Sequence, residues 1–279
     1  MPQQFTNRAQ LSYNNTVVLS NTVTGEIADV LSVTKTVLES AYTVGGRLTY
    51  VVNLVNSDTV ALTDLTLVDD LGAGEGGTPL LNYSEGSVHY FVNGTAQPAP
   101  AATGGSTLTI EGISVPAGGN AAVIYEAVVN EYASPEVGAT LTNTVVVNGD
   151  GTLPVTATAT VAANVGAELS ICKSLSPLVV SGNDSLTYTF ILRNSGNEAA
   201  GGENGPVLTD TFDPILSGIA VTLNGAPMSA TGYTYDEASG LFQTAPGALT
   251  IPAATFTQNE DGTWSSTPGE ATITITGTI

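Results

Sequence analysis

The segment Leu31-Ser-Val-Thr-Lys-Thr-Val37 recurs as Leu169-Ser-Ile-Cys-Lys-Ser-Leu175, and the two copies bring most of the chain into register. Successive side chains of an extended strand point to opposite sides. Leu31, Val33 and Val37 therefore share one face, and Ser32, Thr34 and Thr36 the other. Lys35 falls on the apolar face, and Lys173 does the same in the second copy. These are the only lysines among five basic residues, the others being Arg8, Arg47 and Arg193. A cation turned toward an apolar interior is costly unless something pairs with it.

The correspondence runs on. Leu48-Thr-Tyr-Val-Val-Asn-Leu-Val-Asn-Ser57 recurs as Leu186-Thr-Tyr-Thr-Phe-Ile-Leu-Arg-Asn-Ser195, and Leu67 to Leu71 as Leu208 to Phe212, with Asp210 under Asp69. Val92-Asn-Gly94 aligns with Leu223-Asn-Gly225, Leu108-Thr-Ile110 with Leu249-Thr-Ile251, and Pro116 to Tyr125 with Pro268 to Ile275. Alternating apolar and polar residues between Asn- and Gly-rich turns predict strands throughout. In the first copy a closing hairpin is predicted over 141–161, around Gly149 to Gly151. The second copy reaches Ile279 before a counterpart of that hairpin, whereas residues 5–27 read as an additional one about Asn14-Asn15, with Phe5-Thr-Asn7 aligning on Leu141-Thr-Asn143. The expected organisation is a donor β-hairpin over 1–30, a complete β-sandwich repeat over 31–168, and an incomplete, accepting repeat over 169–279.

Composition narrows the function classes. A net charge of -20, with 25 acidic against 5 basic residues, argues against nucleic acid or an anionic membrane as partner, since both need a basic patch. Cys172 is the one cysteine and His89 the one histidine, which rules out an intrachain disulfide and a Cys/His zinc cluster. Cys172 lies on the polar phase of its strand, and His89, between Val88 and Tyr90, reads as a strand surface residue. Asn148-Gly-Asp-Gly151 and Asn259-Glu-Asp-Gly262 lack the spaced ligands of a calcium loop and read as hairpin turns. Neither Gly104-Gly105 nor Gly201-Gly202 continues as a phosphate loop, and no nucleophile elbow is present. No cofactor, no metal and no enzyme activity are expected. No basic stretch followed by an apolar core opens the chain, and no window approaches the ~18 apolar residues of a membrane helix. No membrane span is expected, and the sequence does not reveal an export route.

Taken in order, Ser-x-Thr-Lys-Thr, Leu-Thr-Tyr-x-Val-x-Leu-x-Asn-Ser, the Leu-x-Asp strand and Leu-Thr-Asn-Thr-Val resemble the conserved repeat domain of bacterial surface proteins, domain-of-unknown-function family eleven. The resemblance covers nearly all of 31–279. It implies an immunoglobulin-like β-sandwich used in surface stalks, adhesins and fibres. The expected fold is therefore all-β, with two tandem immunoglobulin-like sandwiches preceded by a β-hairpin arm, at the surface of a bacterial cell or spore.

Lys35, Asp69 and Asn143 lie in the apolar phase of three strands of the first repeat. In immunoglobulin-like pilin and adhesin domains such a trio forms an isopeptide, and the resemblance implies the same here: a buried neutral lysine attacks the asparagine amide while the acid moves protons. An unreacted ion pair hydrogen-bonded to Asn143 is the other reading. In the second repeat Lys173 and Asp210 are present, and the matching asparagine is Asn7 in the N-terminal hairpin, with Asn21 as a competing acceptor. Phe5, Asn7, Ala9, Leu11 and Tyr13 share the face that would enter the second repeat of another molecule. The expected partner is thus the chain itself, in an open homopolymer. The alternative is a piece of an adhesin or stalk that binds a host protein or glycan.

Overall fold

The computed structural model describes residues 3–27, 30–149, 152–182 and 184–279, and the architecture is all-β as expected. Two compact units are present, Met1–Ala133 with Thr140–Ala162, and Ser134–Ala139 with Ala163–Ile279.

The N-terminal arm is one long hairpin of β1 (Gln3–Asn7), β2 (Gln10–Tyr13), β3 (Thr16–Leu19) and β4 (Val23–Ile27). Asn14 and Asn15 turn it with φ of 42 and 62°, the doubly left-handed turn whose twist suits antiparallel strands and which asparagine tolerates. Asn7 pairs with Val23 and Gln10 with Leu19, so three steps on one strand span four on the other. This is a bulge, and Asn21 lies within it. The ring of Phe5 rests on Gly25, where any Cβ would stand 2.4 Å from the ring.

In the first unit, one sheet runs β11 (Thr95–Gln97), β10 (His89–Val92), β14 (Asn120–Val129), β7 (Arg47–Asn56), β5 (Leu31–Val37), with β9 (Leu81–Tyr83) also on β14. The facing sheet runs β12 (Ala101–Gly104), β13 (Leu108–Val115), β8 (Leu62–Asp69), β15 (Thr140–Gly149), β16 (Thr152–Ala163), β6 (Ala41–Tyr42). Alternate residues of the central strands are buried, among them Leu48, Tyr50, Val52 and Leu54 on β7, and Leu141, Asn143, Val145 and Val147 on β15. The inner faces of two antiparallel sheets thus form the core of a sandwich.

The second unit repeats the main path of the first sheet, among the described residues without a counterpart of β9: β21 (Ala226–Pro227), β20 (Ser217–Leu223), β26 (Gly269–Thr278), β18 (Ser185–Asn194), β17 (Leu169–Ser176). Its other sheet holds β19 (Thr209–Thr211), β23 (Leu241–Thr244) and β22 (Tyr233–Asp236), with a hairpin of β24 (Thr255–Gln258) and β25 (Trp264–Thr267) besides. Strand pairing overturns the alignment of Leu249–Ile251 on Leu108–Ile110. Asp69 pairs with Leu108 and Asp210 with Phe242, so β23 is the counterpart of β13, and Ile251 instead bridges Ala200. Three matching letters are too few to fix a register that hydrogen bonds set. Among the described residues the second unit has no counterpart of β15, β16 or β6, and β19 pairs on one edge only.

The recurring Asn-Ser that ends β7 and β18 is structural. Buried Asn56 donates through Nδ2 to the carbonyls of Val60 and Pro116 at 2.8 and 3.1 Å and accepts from the Asp58 N–H at 2.9 Å. Asn194 does the same with Glu198 and Pro252 at 2.7 and 3.0 Å and with the Gly196 N–H at 3.0 Å.

Candidate functional site: a buried lysine, aspartate and asparagine

Lys35 enters the first core from β5, while Asp69 at the end of β8 and Asn143 on β15 enter it from the facing sheet. All three are buried, and the side chains of Lys35 and Asp69 have no exposed surface. Lys35 Nζ donates to Asp69 Oδ2, as does the Tyr125 hydroxyl, and the Leu71 N–H donates to Asp69 Oδ1 at 2.9 Å. The ammonium lies 4.9 Å from the centre of the Tyr50 ring, which stacks on Tyr125 at 5.5 Å. Val145 is opposite Asp69 in the β8–β15 pair, so Asn143, two residues away, projects to the same side. Its Oδ1 accepts from the Gly72 N–H at 3.1 Å, a donor shared with Asp70 Oδ1 at 2.9 Å. Both N–H groups come from a turn in which Leu71 and Gly72 have φ of 52 and 68°. Leu71 holds this strained conformation because it is packed in the core.

Among the described residues two buried side-chain polar groups have no hydrogen-bond partner, Asn143 Nδ2 and the Tyr50 hydroxyl. Such a group costs about 1–3 kcal/mol. Burial lowers the pKa of Lys35, and the Asp69 charge opposes that shift. Burial raises both Tyr50 and Tyr125, and the Asp69 charge adds to each rise; the Tyr125 hydroxyl thus keeps its proton and donates. The Asn143 carboxamide is close enough to both phenols to offset part of this rise, although it closes no hydrogen bond with Tyr50.

These groups meet the needs of amide exchange. Burial favours the neutral amine, Asp69 is placed to take the lysine proton, and the Gly72 N–H sits on the oxygen that would gain charge if the carboxamide carbon were attacked. The nitrogen that would depart, Asn143 Nδ2, is the one without a partner. The strand alternation led to the trio, and Tyr50, Tyr125 and the Leu71–Gly72 turn join it only in three dimensions. Both tyrosines occupy inward positions of strands, the one signal that pointed to them.

In the second unit Lys173 Nζ donates to Asp210 Oδ2 at 2.5 Å, and the ammonium is 4.5 Å from the centre of the Tyr188 ring. Tyr188 stands where Tyr50 stands, but Ile275 is opposite it where Tyr125 is opposite Tyr50, and it offers Asp210 no hydroxyl. The expectation that Lys173 points inward holds in direction only. Its side chain is 41% exposed and that of Asp210 19%, because among the described residues no counterpart of β15 lies beside β19 to cover them. Asn7, Ala9, Phe5, Leu11 and Tyr13 are exposed on the arm, the last two at 70 and 76%.

The remaining candidates are peripheral. Cys172 and His89 are exposed, and Asn259–Gly262 forms the turn between β24 and β25. Asp150 and Gly151 of the other turn lie outside the described residues. Among the described residues no three His, Cys, Asp or Glu side chains are grouped to hold a metal, and no helix is long and apolar enough to cross a membrane.

No family model matches the sequence, and no curated protein matches it. Among solved structures the chain is similar to BcpA, the major pilin subunit of Bacillus cereus, at 10% identity and a TM-score of 0.35, over 95% of this chain and 73% of that one. It is similar to a C-terminal fragment of the major pilin GBS80 of Streptococcus agalactiae at 12% and 0.37, over 80 and 79%. It is also similar to the collagen-binding subdomain of the Enterococcus faecalis surface protein ACE at 10% and 0.31, over 47 and 95%. At these scores the likeness does not extend to particular residues.

Proposed function

We propose that the chain is a structural subunit of an extracellular bacterial fibre or surface appendage rather than an enzyme, and that subunits join head to tail by strand donation. The arm of one molecule fills the open edge of the second unit of the next. The observation that carries this reading is the stripped side of that unit. Leu169 and Ile171 on β17 are 48 and 57% exposed where Leu31 in the first unit is buried, and among the described residues β19 pairs on one edge only. Apolar floor and free N–H and C=O groups along an edge favour pairing with another strand. The same chain carries a hairpin whose apolar side chains lie in solvent. Donor and acceptor are different surfaces, so the contact is heterologous and propagates as an open filament. An amide between Lys35 and Asn143 would lock the first unit under tension. The resemblance to surface repeat domains supports the same reading.

Electron microscopy of the purified protein should show filaments, and a chain lacking residues 3–27 should remain monomeric. Filaments of the truncated chain would overturn the proposal, as would an arm folded onto its own second unit.

A further inference from the structure

Resting on that reading, we infer that Asn7 of one subunit completes the Lys173–Asp210 half-site of the next, and that the two become joined by an amide bond across the junction.

The register leads to this pair. In the first unit Val145 lies opposite Asp69 and Val147 opposite Leu67. With Phe5-Thr-Asn7 on Leu141-Thr-Asn143, the arm sets Ala9 opposite Asp210 and Leu11 opposite Leu208, and Asn7 takes the place of Asn143. A cavity of about 200 Å³ opens where Leu11 arrives, lined by Ile171, Leu192, Leu208, Leu249 and Ile251. An apolar hole thus faces the apolar residue that lacks cover. Of the arm's four asparagines, Asn14 and Asn15 form the turn and Asn21 lies in the bulge. Asn7 alone has strand parity with the apolar residues.

The docked strand would cover Lys173, as β15 covers Lys35, and remove the water that solvates its charge. Asp210 then takes a proton from the ammonium, and the neutral Nζ attacks Cγ of Asn7. The Nζ–Cγ bond forms and the Cγ–Nδ2 bond breaks. The proton lost by the attacking nitrogen passes to Nδ2, and the proton held by Asp210 leaves with the ammonia as ammonium. No oxidant or reductant is needed. Because the half-site is open in the free subunit, the bond forms only on assembly.

Wild-type filaments boiled in detergent should run as a ladder, and proteolytic peptides should include a branched species joining Lys173 to Asn7, lighter by one ammonia. Lys173→Arg keeps a cation beside Asp210 but removes the nucleophile, and the ladder should vanish. Any filaments formed by Asn7→Ala should fall to monomers on boiling. Wild-type filaments that fall to monomers with Lys173 and Asn7 unmodified would overturn the inference while leaving strand donation standing. A cross-link through another asparagine, or one within a single subunit, would overturn it too. Absence of any filament by microscopy would remove strand donation and the bond together.

Discussion

Asp69 holds Lys35, Tyr125 and the Leu71 N–H at once, so removing it disturbs both the chemistry and the stability of the first unit. Asp69→Ala leaves an unpaired buried lysine, which should cost the unit roughly 3–5 kcal/mol in addition to what the Lys35–Asn143 bond contributes, read by denaturant unfolding. Intact mass should show the wild-type chain lighter by one ammonia for the Lys35–Asn143 bond and the variant at full mass; an unshifted wild type would leave the ion pair as the whole account. A pH test separates the two states of the lysine. In Asn143→Ala, Lys35 has no acceptor and its folded pKa lies below the ordinary 10.5. Between those values the unfolded chain binds more protons, so stability rises with pH. Tyr50 and Tyr125 lie above their ordinary 10.0, and past that point the unfolded chain loses protons the folded one keeps, so stability falls. The melting temperature of this variant should therefore peak near pH 10.

At the scale of the element, the closing hairpin of the first unit and the N-terminal arm share a pattern but differ in what they touch. β15 is buried on alternate residues because β8 lies beside it and the first sheet beneath. The arm shows the same alternation in solvent. Leu11→Asp should leave the folded subunit as stable as before, since the side chain is exposed, yet weaken assembly by more than tenfold, because a carboxylate would enter an apolar cavity. Sedimentation and a thermal melt together read both. Asn56 and Asn194 brace the loops that follow β7 and β18, and Asn56→Ala should cost roughly 2–3 kcal/mol by leaving loop carbonyls and the Asp58 N–H unpaired. A melt unaffected by that substitution would contradict the bracing role.

For the whole molecule, charge and covalent closure set the behaviour of an assembly. Subunits of net charge -20 repel one another, and salt screens that repulsion over about 10 Å at 0.1 M. Elongation followed by light scattering should thus quicken as sodium chloride rises from about 0.02 to 0.2 M. A Lys35–Asn143 bond closes a loop of about 100 residues, which in a chain-entropy account stabilises by about 5 kcal/mol. Asn143→Ala should lower the unfolding free energy of the first unit by at least that much.

The sequence by itself determined the strands, their faces and the repeat, because alternation and Asn-Gly turns are local properties of the chain. It placed Lys35, Asp69 and Asn143 in one interior through parity alone, and Lys173 and Asp210 likewise. The tertiary structure decided what surrounds them. That Tyr125 rather than an aliphatic residue holds Asp69, and that Ile275 faces Tyr188, depends on the pairing register of strands some 75 to 87 residues apart. The same holds for the placement of Phe242 instead of Leu249 beside the Asp210 strand, since a three-letter match carries less weight than a hydrogen-bonded ladder. The difference between a sealed lysine and an open one also lies in tertiary structure: burial is a property of neighbouring strands, and no stretch of β17 read alone distinguishes it from β5.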